Sequence, residues 1–84
     1  MLVEVITPDE TLFSGSARLV SLPGSDGSFA LLNRHAPIIS TLKAGRLKII
    51  TQDNQTLFFE IQSGVVEMSR NKATILVEKP SQNG

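Results

Sequence analysis

His35 is the only histidine in the sequence, and so the one imidazole available for proton transfer or metal binding near neutral pH. A metal site needs several histidine, cysteine or carboxylate ligands close together, and the residues around His35 supply none. A serine–histidine–acid site needs a positioned serine on one side of the histidine and a carboxylate on the other. No serine here lies in such a setting. The segment Asn33-Arg34-His35-Ala36-Pro37 reads instead as a corner. Ala36 precedes a proline and is pushed toward extended geometry, while Pro37 cannot donate a ladder hydrogen bond and marks a strand start or an edge. Gly24-Ser25-Asp26-Gly27-Ser28 is glycine-rich, but it lacks the Gly-Lys-Ser/Thr of a phosphate loop and offers one acid where a calcium loop needs several oxygen ligands. It reads as a tight turn between strands. Glu4, Asp9, Glu10, Asp26, Asp53, Glu60, Glu67 and Glu78 are scattered, and none pairs with another as an acid–base couple. The residues call for no cofactor and no metal, and favour a binding or structural module over an enzyme.

The elements that must position these residues are strands. No window of a dozen residues keeps the i, i+3, i+4, i+7 pattern of an amphipathic helix. Short runs of Val, Ile, Leu, Phe and Thr alternate with turn clusters, which marks an all-β sandwich or barrel. The pattern predicts strands near 2–7, 10–13, 16–22, 27–32, 38–42, 46–52, 56–62, 64–69 and 72–78. The expected domain is a sandwich over 1–79 followed by a flexible tail over 80–84, Pro80-Ser81-Gln82-Asn83-Gly84.

Two hairpins have a testable register. With Arg70-Asn71 as a two-residue loop and Asn71 left-handed, Ser69 faces Lys72, Met68 faces Ala73, Val66 faces Ile75 and Gly64 faces Val77. One face of that pair is wholly apolar. A two-residue loop at Asp53-Asn54 would instead set Glu60 beside Leu47. One residue of slip moves every side chain to the opposite face, so the pattern selects a three- or five-residue loop, or a bulge, around 52–55. The expected pairs are Leu47 with Ile61, Ile49 with Phe59 and Thr51 with Leu57 on one face, and Lys48 with Glu60 and Ile50 with Phe58 on the other. That second face mixes an ion pair with an apolar pair. Ile50 and Phe58 there read either as a partly covered apolar pair or as part of a subunit contact.

Length and charge bound the function. A chain of 84 residues is one small domain, and a domain of this size buries only about 60–65% of the surface its unfolded chain exposes. It has no cysteine, so packing or a partner must stabilise it. Eight basic and eight acidic residues cancel, which argues against nucleic acid or anionic lipid held by bulk charge. Apolar runs fall far short of the about 18 residues a membrane span needs, and no secretory signal opens the chain. The expectation is a soluble chain that meets a membrane only through another protein.

The order of segments resembles the ε subunit of F-type ATP synthases. The resemblance begins with Val3-Glu4-Val5-Ile6-Thr7-Pro8 and Leu12-Phe13-Ser14-Gly15. It continues through Leu22-Pro23-Gly24-Ser25-Asp26-Gly27-Ser28-Phe29-Ala30-Leu31-Leu32, His35-Ala36-Pro37-Ile38 and Leu42-Lys43-Ala44-Gly45-Arg46-Leu47-Lys48-Ile49. It closes with Ser63-Gly64-Val65-Val66-Glu67-Met68 and Lys72-Ala73-Thr74-Ile75-Leu76-Val77. It covers about the whole chain in order. It implies a two-sheet antiparallel β-sandwich of about ten strands, the N-terminal domain of that subunit, in a form without the C-terminal helices. It further implies a non-catalytic rotor part between the γ subunit and the c-ring, coupling proton or sodium flow to ATP synthesis as a peripheral subunit on the cytoplasmic face of a bacterial inner membrane. By resemblance Ser28, Arg34 and His35 are candidate ring contacts, and Ile50 and Phe58 candidate γ contacts. The sequence departs from the family pattern here: Ser28 stands where many members carry an acid, Ala30 where they carry Gly, and Asn33-Arg34 where they carry Pro-Gly. Arg34 adds a charge and loses glycine's easy access to positive φ. With the resemblance, that departure implies a ring contact through different partners, with Arg34 as a candidate new anchor for a ring carboxylate. A stand-alone β-sandwich binding module is the alternative. The lack of Trp and Tyr weighs against a sugar ligand for it.

Overall fold

A computed structural model describes residues 1–81 and shows eight strands and no helix. They are β1 (Leu2–Ile6), β2 (Thr11–Gly24), β3 (Gly27–Leu32), β4 (Ile38–Leu42), β5 (Gly45–Thr51), β6 (Thr56–Ile61), β7 (Ser63–Ser69) and β8 (Lys72–Glu78). Hydrogen bonding runs unbroken through all eight, in the order β1-β8-β7-β4-β2-β5-β6 with β3 on β2. Strand β2 is long enough to serve two layers. Its first half pairs with β1, from Ile6↔Thr11 to Leu2↔Ser16, and its second half pairs with β5 and β3. The register slips by one residue between Ala17 and Leu19, a bulge at Arg18 where the strand passes from one layer to the other.

Alternation explains the core. Val3 and Val5 of β1, Val66 and Met68 of β7, and Ala73, Ile75 and Val77 of β8 are all buried. They meet Val20 and Leu22 of β2, Leu31 of β3, Leu47 and Ile49 of β5 and Ile61 of β6 in one cluster. Each fully buried Val, Leu or Ile contributes about 1.5–3 kcal/mol relative to exposure. The shortest dimension of the molecule is 19 Å, which two sheets about 10 Å apart and their outer side chains fill.

Three expectations need correction. The runs 10–13 and 16–22 form a single strand, so eight strands stand where about ten were expected. Ser14 and Gly15 stay extended because they pair with Glu4 and Val3, and that ladder outweighs their local turn preference. The sandwich is also not wholly antiparallel: β1 lies parallel to β8, from Leu2↔Lys72 to Ile6↔Leu76. Third, the β5–β6 loop has one of the expected odd lengths, three residues, but the cross-strand pairs are not those expected. Thr51 N–H donates to Gln55 O at 2.8 Å, Asn54 N–H donates to Thr51 O at 3.0 Å, and Asn54 takes φ 67°. The pairs are therefore Leu47↔Phe59, Ile49↔Leu57, Lys48↔Phe58, Ile50↔Thr56 and Arg46↔Glu60. Every residue keeps its expected face, because a shift of two preserves the pleat, but each expected partner is displaced by two.

The β7–β8 hairpin pairs as expected, Ser69↔Lys72 through Gly64↔Val77. Arg70 and Asn71 both take positive φ, at 52° and 59°, the geometry of a type I′ turn. The glycine-rich segment is the β2–β3 turn, with Gly24 opposite Gly27. A Cβ on Gly24 would lie 2.5 Å from the Gly27 carbonyl oxygen, so only glycine fits where β2, β3 and β4 converge. Of the tail expected over 80–84, Pro80 and Ser81 are exposed and outside any strand, and 82–84 lie outside the described residues. No helix among the described residues is long and apolar enough to cross a membrane.

Candidate functional site

The β3–β4 corner is tied to two other segments. Arg34 takes φ 61°, and its N–H donates to Asn71 Oδ1 at 2.7 Å. Leu2 N–H donates to Asn71 O at 3.0 Å. The Met1 ammonium donates to Ala17 O at 3.0 Å and to Asn33 Oδ1. His35 N–H donates to Leu32 O at 3.1 Å, and its Nδ1 lies 2.7 Å from Ala36 O. Its imidazole thus meets local backbone, and among the described residues no carboxylate or hydroxyl is bonded to it. Among the described residues no three His, Cys, Asp or Glu side chains gather to hold a metal ion.

Arg34 and His35 therefore share one end of the sandwich. Ser28 does not join them. It opposes Pro23 at the start of β3, beside the turn where Thr41 Oγ1 donates to Ser25 Oγ at 2.8 Å. The four residue steps of strand from Ser28 to Leu32 alone span roughly 13 Å. What links the three candidates is the outer edge of β3, which among the described residues pairs only with β2. Ser28, Ala30 and Leu32 are exposed along it, and Arg34 and His35 follow directly.

Ile50 and Phe58 lie on one face, the outer surface of the layer β3-β2-β5-β6, as diagonal neighbours. Lys48 opposes Phe58, and the Arg46 guanidinium lies 5.2 Å from the Phe58 ring centroid while its Nε donates to Glu60 Oε1 at 2.7 Å. Phe58 is 54% exposed. Across the sheet, Leu32 opposes Leu19 and Leu19 opposes Ile50, so an apolar strip crosses three strands and ends near Phe58. Leu19 and Leu32 were missed in the sequence. Period-2 alternation places them outward, but only the cross-strand register shows that they align with Ile50.

The opposite outer face carries a second apolar row. Ile6 opposes Leu76 and Leu76 opposes Val65, beside a shallow groove of about 490 Å³ that reaches Pro8 and Gly64. Among the described residues, neither face brings a nucleophile together with a base. Both offer shape and apolar surface, which is what a protein partner uses.

Comparison with known proteins agrees with this architecture. The family described as ATP synthase, Delta/Epsilon chain, beta-sandwich domain matches residues 1–81. An ATP synthase epsilon chain of Chlorobium limicola is 37% identical over 79 residues, covering 94% of this chain and 90% of that one. One from Protochlamydia amoebophila is 38% identical over 76 residues, and there this chain spans about half of the relative, 52%. One from Campylobacter lari is 42% identical over 76 residues and is spanned to 58%. Among solved structures, a chain of the Tetrahymena thermophila mitochondrial ATP synthase central stalk and c-ring superimposes with TM-score 0.79 at 23% identity, covering 94% of this chain and 63% of that one. A chain of the Euglena gracilis mitochondrial ATP synthase does so with TM-score 0.81 at 15% identity, covering 92% and 49%. At such identities these two likenesses speak for the fold.

Proposed function

The chain belongs to the β-sandwich family of ATP synthase Delta/Epsilon chains, and from that premise we propose that it is a non-catalytic central-stalk subunit of a membrane-associated F-type ATP synthase. It joins the γ subunit to the c-ring, so that proton or sodium flow through the ring is coupled to ATP synthesis elsewhere in the complex. The observation that carries this reading is the match to epsilon chains over almost the full length of both partners, as with Chlorobium limicola. The subunit is peripheral, on the cytoplasmic face of a bacterial inner membrane, and touches the membrane only through the complex.

The two partners call for different surfaces. A γ subunit that turns with this chain is a permanent partner, and permanent interfaces are the more apolar ones. The strip of Leu32, Leu19 and Ile50 with Phe58 supports the outer face of β3-β2-β5-β6 as the γ side. The ring is met through polar, hydrated loops. The exposed edge of β3 with its following corner, carrying Ser28, Arg34 and His35, supports the ring side. The two surfaces share β3, so one rigid sheet transmits force between them. Tagged chain should co-purify with γ from membranes of the native host. A monomer recovered without any rotor component would end this reading.

A further inference from the structure

Four non-glycine residues among those described take positive φ: Arg34, Asn54, Arg70 and Asn71. Asparagine tolerates that conformation. In arginine the Cβ crowds the following carbonyl oxygen, and the side chain offers no local hydrogen bond in return. Both arginines nevertheless occupy it, at the tips of neighbouring turns, and Asn71 pins the two turns together through the Arg34 N–H. Strain retained in two adjacent residues of one type points to a task for that side chain.

Positive charge predominates around them. Neither the Arg34 nor the Arg70 guanidinium has an ion pair among the described residues, whereas Arg46 is held by Glu60 and Lys72 by Glu4 at 2.9 Å. The Met1 ammonium adds positive charge at the same end. Asp9, Asp26 and Glu78 sit at the other end, around the β1–β2 and β2–β3 turns and the close of β8, with Lys43 and the Glu10–Lys79 pair beside them, while Asp53 in the β5–β6 turn lies at the arginines' end. A chain of zero net charge therefore presents a basic tip.

We propose that Arg34 and Arg70 form a two-point clamp for carboxylates on a loop of the rotor ring. This rests on the reading that the β3 corner faces the ring. A guanidinium binds a carboxylate through two parallel N–H donors, a geometry lysine lacks. Two such forks on turns tied together by Asn71 set an orientation as well as an attraction. Both arginines are exposed, and each keeps its left-handed backbone at a cost in fold stability.

The test uses the full chain, its R34N, R70N and R34N/R70N variants and an R34K/R70K control. It measures Tm and affinity for a γ–ring rotor assembly stripped of this chain. Asparagine relieves the backbone, so each single variant should melt higher, by about 4 °C. The double variant should bind about tenfold more weakly, with a flatter salt dependence, and the lysine pair should recover part of the loss. Undiminished ring binding by R34N/R70N overturns the clamp, while the rotor reading stands if an I50D/F58D variant still loses γ. Loss of binding to anionic phospholipid vesicles with ring binding intact also overturns it, in favour of a lipid contact. Unchanged or lower Tm in the asparagine variants removes the strain argument and overturns it. No binding of the unaltered chain to γ or ring overturns clamp and rotor reading together.

Discussion

The inner and outer faces of the β3-β2-β5-β6 layer follow opposite rules. On the inner face every preference agrees. Val20, Leu22, Leu31, Leu47 and Ile49 alternate with outward residues, lie against the other layer and are almost wholly buried. On the outer face preferences collide. Leu32 and Phe58 stand 53% and 54% exposed, Lys48 lies opposite an aromatic, and the corner beyond β3 places an arginine at positive φ. A sequence shaped by folding alone would remove such conflicts. Leu2, Ile39 and Leu76 are likewise exposed on the other layer, and what sets this face apart is that its apolar strip runs on into Phe58, the Arg46 guanidinium and the arginine corner.

The largest effect should come from the inner faces. Ile75→Ala empties a fully buried position in β8 and should cost about 2–5 kcal/mol in chemical denaturation, enough to threaten a domain this small. The outer strip should behave inversely. Ile50→Asp with Phe58→Asp should shift stability little, yet weaken γ binding by about 100-fold or more in a titration of purified subunits, as interface anchors do. A similar loss of stability in both sets would erase the contrast between the faces. Asn71→Ala tests the stitch at the basic end. It removes the acceptor of the Arg34 N–H and a residue suited to positive φ, so the denaturation midpoint should fall by the equivalent of about 1–2 kcal/mol. The smallest effect belongs to Glu60→Gln. The Arg46–Glu60 pair is more than half exposed on both sides, so its loss should cost less than about 1 kcal/mol and vanish in high salt.

What was legible in the sequence follows the same division. The β7–β8 pairing could be read to the residue, because Met68, Val66, Ala73 and Ile75 leave one register with an apolar face and Asn71 fixes the loop length. The β5–β6 pairing could be read only as to face. Alternation excludes an even loop, but three and five residues bury the same side chains. The choice between them falls to Asn54 at positive φ and to Thr51, whose hydroxyl accepts the Gln55 N–H at 2.9 Å. The fusion of two runs into β2 was hidden because Ser14-Gly15 has the composition of a turn, and only β1 lying alongside keeps it straight.

The candidate contacts were legible one at a time and illegible as a surface. Arg34 and His35 are neighbours in sequence and stay so in space, whereas Ser28 is carried to the far end of β3. Leu19 and Leu32 join Ile50 only through cross-strand register. Asn71, which reads as a turn residue, also holds the corner 37 positions earlier in the chain. Long-range pairing of this kind has no local signal.

The central claim is that γ covers the β3-β2-β5-β6 face. The chain contains no cysteine, so a single Phe58→Cys substitution gives one labelling site, and Leu76→Cys gives its counterpart on the opposite face. Maleimide labelling should be fast at both positions in the free chain. In the assembled rotor it should be suppressed many-fold at position 58 and remain fast at 76. Equal labelling of position 58 in the free and assembled states would contradict the account.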